Sequence, residues 1–157
     1  MARTSLLGLI LGFAMMAFSG ASASAEDGGA FVDSVFRGQN GPPERENHVV
    51  KTNGEWTALW ARVDQEPPRT LKEGTQTGIA VFAGQRQTGG YRLEVRRVDH
   101  TAEMLTVNLE LIVPGSIAAQ VITAPYIFAI VDKVSQDTEV ALKDPENVPA
   151  TNTLHGR

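Results

Sequence analysis

An α+β domain, an antiparallel β-sheet of sandwich or roll-like form with one amphipathic helix packed on it, is the fold class this sequence predicts. Three observations carry that reading. Trp56, Leu59, Trp60 and Val63 recur at the i, i+3, i+4, i+7 spacing of one helical face. From residue 79 onward the apolar residues instead alternate with polar ones or run unbroken, the patterns of half-covered and doubly covered strands. The chain also has no cysteine, so packing has to hold it together without disulfides or cysteine-bound metal.

Taken in order, residues 1–25 read as a signal peptide: Arg3 is the positive end, 6–18 the apolar stretch, and Ala23, Ser24 and Ala25 the small-residue cleavage site. That stretch falls short of the roughly 20 apolar residues a spanning helix needs, so no stable membrane insertion is expected. The remainder is of a size usual for one domain, expected over 26–143. Residues 31–36 suggest a first strand and 47–51 a second, joined through Gly38, Asn40, Gly41, Pro42 and Pro43 as an edge hairpin. Thr52 with Glu55 three residues on has the form of a capping box opening the helix, which Pro67 and Pro68 close.

The run 79–83 is apolar throughout and predicts a central strand covered on both faces. Next, Tyr91, Leu93 and Val95 share one face against Arg92, Glu94 and Arg96, with the alternation broken at Arg97 and Val98 as a bulge would break it. Leu105, Val107, Leu109, Leu111 and Val113 alternate cleanly along another strand. A last apolar stretch, 118–131, is interrupted by Pro125, and 139–142 suggests a short final strand before a flexible tail at 144–157. In an antiparallel meander of about five or six strands, the connections at 85–90 and 114–119 fall at the same end of the sheet.

Those two connections hold the candidate site. Thr88, Gly89, Gly90 and Tyr91 place paired glycines at a strand mouth, where the backbone can take positive φ or come close to another chain. Pro114 and Gly115 have the form of a turn, and Pro125 and Tyr126 open the last apolar run. Two readings of these residues stand side by side: architectural turns with Tyr91 packed inward, or a partner-binding edge. No catalytic set accompanies them. His48, His100 and His155 lie in separate segments without metal-ligand spacing, no nucleophile motif surrounds Ser34, Ser116 or Ser135, and no cofactor motif is present. With 14 Lys and Arg against 18 Asp and Glu, nucleic acid is a disfavoured partner.

Residues 49–133, through GIAVFAG, TGGYRLEV, the VPGS turn and AQVITAPYIFAIV in that order, with EWTALW at the helix, resemble the C-terminal domain of the PrcB family. That family is named for a subunit of a bacterial surface protease complex. The resemblance implies an exported domain with no catalysis of its own, an accessory or stabilising partner of a protease, periplasmic or secreted. The lipidation cysteine of the namesake is absent here. A second likeness, carried by Thr88, Gly89, Gly90 and Tyr91 alone, is to chagasin-type inhibitors, which implies a soluble peptidase inhibitor as the alternative. A small-ligand carrier or hydrolase whose site forms only in the fold is the third reading.

Overall fold

The computed structural model describes residues 30–101, 103–135, 137–143 and 151–152 of the 157-residue chain. The expected signal peptide lies outside them, as does the expected tail apart from 151–152. Among the described residues, eight strands and one helix follow in the order β1 (Phe31–Gly38), β2 (Arg45–Val50), α1 (Asn53–Ala61), β3 (Gln76–Ala83), β4 (Arg92–His100), β5 (Met104–Ile112), β6 (Tyr126–Asp132), β7 (Glu139–Lys143) and β8 (Thr151–Asn152).

The strands divide into two sheets. One has five strands in the order β1-β6-β3-β2-β8 and the other three in the order β4-β5-β7. Neighbours are antiparallel except β2 with β8 and β5 with β7, which are parallel. The α+β class holds, but the strands do not form a single meander. β3 pairs with β2 and β6, not with β4, and β1 is separated from β2 by two strands instead of forming a hairpin with it. Thr151–Asn152, inside the stretch expected as a tail, pairs with His48 and Val49.

The continuous apolar runs now have a physical cause. The five-stranded sheet is the middle layer, so β3 and β6 at its centre bury both faces. Ile79, Val81 and Ala83 of β3, with Ile127, Ala129 and Val131 of β6, face the small sheet and meet Leu93, Leu105, Val107, Leu109 and Val140. Ala80, Phe82, Tyr126, Phe128 and Ile130 face the other way, onto Trp56, Leu59, Trp60 and Val63 of the helical segment. The small sheet is covered on one side only and shows the alternation its sequence displays. Its outer face carries ion pairs of Arg92 with Glu94, Arg96 with Glu110 and Arg97 with Asp99.

Local details follow the chemistry with small shifts. Thr52 caps α1 by accepting from the Glu55 N–H, while the Glu55 carboxylate accepts from the Lys51 N–H, one residue before the expected box partner. Val63 is buried although it lies past the helix end, and Asp64, with φ 56°, turns the chain away. The β4 bulge falls between Val95 and Arg97, slightly earlier than the alternation suggests.

Where β1 and β4 come alongside each other as outer strands, side chains bridge the gap: Arg37 Nε donates to the Leu93 carbonyl at 3.1 Å and Gln39 Nε2 to the Tyr91 carbonyl at 3.0 Å. Among the described residues, no helix is long and apolar enough to cross a membrane.

Candidate functional site

Three connections converge at one end of the molecule. β1 ends opposite the start of β6 (Gly38 with Tyr126), β3 ends opposite the start of β2 (Ala83 with Arg45), and β5 ends opposite the start of β4 (Ile112 with Arg92). Segments 39–44, 84–91 and 113–125 are therefore neighbours, and the last two carry the chain from one sheet to the other and back. Expecting 85–90 and 114–119 together was right, although crossovers between two sheets bring them there and not successive turns of one.

Backbone hydrogen bonds tie these segments into one body. Gly89 N–H donates to the Ala119 carbonyl at 2.9 Å, and Arg86 and Thr123 exchange a pair at 2.7 and 3.0 Å. On the other flank, Ala124 N–H donates to the Gln39 carbonyl at 2.7 Å and Gly41 N–H to the Ala124 carbonyl at 2.8 Å. Each polar backbone group satisfied this way is one that need not be left unpaired as the loops fold over one another. The result is a loop cluster fixed to the sheets.

The sequence-derived site residues sort by burial within this cluster. Gly90 and Gly115 are exposed, Thr88, Tyr91 and Pro114 half-buried, and Gly89, Pro125 and Tyr126 buried. Gly90 has φ +91°, and a Cβ on it would meet Pro114 Cβ at 2.8 Å, so the two expected turns touch directly. Thr88 offers its carbonyl to the Thr123 hydroxyl, and Tyr91 lies under the Arg86 guanidinium, 5.5 Å from ring centroid to Cζ. The Pro125 carbonyl accepts from Ala83 N–H at 2.8 Å. Tyr126 belongs to the aromatic layer, its ring lying where a Cβ on Gly38 would be. Burial pushes its phenol pKa up, against the opposing hydrogen bond from Gln65.

Sequence reasoning missed the most accessible part of this end. Val113, Ile117, Val121 and Ile122 are 64%, 97%, 52% and 61% exposed, all on the single connection from β5 to β6. Val113 continues the β5 alternation on paper, and Val121 and Ile122 merge on paper into the apolar run of β6. The available signal was that this apolar stretch is bounded by Pro114-Gly115 and Pro125, which fits a loop better than a strand.

A polar cluster lies beside the loop end on the helix side. The Arg62 guanidinium forks onto Glu46 through both carboxylate oxygens and lies over the Phe82 ring, while His48 Nε2 is 2.7 Å from the same carboxylate. The Arg62 hydrogen bonds, assisted by His48 and opposed by partial burial, hold Glu46 down to about 2. Among the described residues, no three His, Cys, Asp or Glu side chains are grouped to hold a metal ion. Ser34 is bonded to Asp33 and Arg69, and Ser135 to Thr138.

No curated protein and no solved structure matches the chain significantly. Residues 77–132, which span β3 to β6 and both sheet-crossing loops but not the helix, match the family model described as PrcB C-terminal, and this bears out over that segment the resemblance read from the sequence.

Proposed function

We propose that this chain is an exported, non-catalytic interaction domain that serves a protease as an accessory or stabilising partner, and that it docks through the loop end. The observation that carries the reading is the set of four exposed aliphatic side chains on the 113–125 connection, held beside the 84–91 loop by backbone hydrogen bonds. Exposed apolar groups gathered on a rigid base are what a contact surface requires, because little ordering entropy remains to be lost on binding. The PrcB C-terminal match covers both loops and supports a protease-associated partner.

The test is affinity capture from the envelope and culture fluid of the producing cells, followed by protease assays on the eluate. The expected result is co-elution of an active protease whose lifetime is longer in the presence of the domain. Val121→Asp with Ile122→Asp is expected to abolish co-elution while leaving the unfolding curve unchanged. Stoichiometric suppression of turnover would mark an inhibitor instead, and undiminished capture by the double variant would remove the loop end from the reading.

A further inference from the structure

We infer that the 113–122 segment is an uncharged anchor that enters a concave, apolar pocket of a folded protein partner, with Ile117 as its leading side chain. This rests on the proposed docking role of the loop end and specifies the chemistry of what meets it. From Val113 to Val131 the chain has no Asp, Glu, Lys, Arg or His. Ile117 is 97% exposed, so the described residues cover almost none of it, and a surface that closes around it would remove it from water.

The surroundings say what that surface carries. The neighbouring guanidinium groups have internal partners: Arg86 donates to the Ala83 carbonyl at 2.9 Å and lies over Tyr91, Arg37 donates to the Leu93 carbonyl, and Arg92 pairs with Glu94. An anionic lipid surface is recognised by clusters of Lys and Arg, and the 113–122 segment carries none. An acidic or basic protein patch would likewise find no complement along the segment. An apolar, uncharged cavity fits what is exposed. The anchor is also pre-set, since Gly89 N–H holds the Ala119 carbonyl and Thr123 is paired with Arg86 at its base.

The experiment places a photo-crosslinking residue in the full-length protein in its producing cells, as Ile117→p-benzoylphenylalanine and separately as Gln87→p-benzoylphenylalanine, Gln87 being exposed on the 84–91 loop. Envelope fractions are irradiated at low salt and at about 1 M NaCl, where screening shortens the reach of charge to about 3 Å. The expected result is one protein adduct from position 117, mapped to apolar residues of that partner, with equal yield at both salts and a loss of about tenfold or more when Val121→Asp is added. An adduct from Gln87 but none from 117 overturns the anchor and leaves the docking reading standing, as does a yield that falls with salt. A lipid adduct or a self-adduct at 117 overturns the anchor too. No adduct from either position overturns both.

Discussion

Trp56 rests on Gly78: a Cβ added to that glycine would lie 2.6 Å from Cε3 of the indole. The bare strand backbone at this point lets a fully buried tryptophan pack directly against β3, with its Nε1 donating to the Arg69 carbonyl at 3.0 Å. Gly78→Ala is expected to cost about 1–3 kcal/mol, because the indole has to move within a packed aromatic layer. Urea unfolding followed by tryptophan fluorescence measures it, and a midpoint equal to that of the parent protein contradicts the close fit.

The two glycines on the loops part company. Gly90→Ala meets both a positive φ and the Pro114 ring, and is expected to destabilise by about 1–3 kcal/mol. Gly115→Ala enters open space and is expected to change stability by less than about 0.5 kcal/mol. Thermal unfolding of the pair distinguishes them. Substitutions at Gly90 therefore report on folding as well as on docking, so the exposed aliphatic residues are the cleaner probes of contact.

Acid stability is expected to depend on Glu46. Its folded pKa is lowered from 4.5 to about 2, so the ionised form binds Arg62 in the folded state, and the stabilisation is complete above 4.5 and lost as pH falls toward 2. With the Arg62 and Glu46 side chains 33% and 31% exposed, solvent screening limits the contribution to about 1–2 kcal/mol. Glu46→Gln should lower stability by that amount at pH 7 and flatten the dependence below pH 4.5. Unfolding free energies measured from pH 7 to pH 2 check it, and parallel curves for the two proteins would refute the assignment.

Ile117→Ser is expected to leave the unfolding free energy unchanged within about 0.5 kcal/mol, because the side chain is in water whether the chain is folded or not. By contrast, Leu105→Ala, at a fully buried position between the sheets, should cost about 2–5 kcal/mol. Chemical denaturation of both variants measures how far the exposed aliphatic residues stand apart from the core.

The parts legible in the sequence are those governed by local rules. Thr52 and Glu55 announced the helix, the unbroken run through Ile79 and Val81 announced a doubly covered strand, and the alternation of Leu105, Val107 and Leu109 announced a half-covered one. Strand partnership was not legible. The pattern of β4 is the same whether its neighbour is β3 or β5, and the choice is made by non-local packing that periodicity does not encode. The parallel pairs β5 with β7 and β2 with β8 were hidden for the same reason. At the site, the meeting of Gly90 with Pro114 followed from loop placement, whereas the exposure of Ile117 and Ile122 did not, since apolar composition alone speaks for burial.

The bridging of Tyr91 and Leu93 by Gln39 and Arg37 has a consequence for solubility. An open strand margin invites sheet extension by a second molecule, and here the Leu93 carbonyl of β4 and the Tyr91 carbonyl just before it are already occupied from within. Sheet growth along that flank would first have to displace both side chains, so this margin is less open to polymerisation than a bare strand would be.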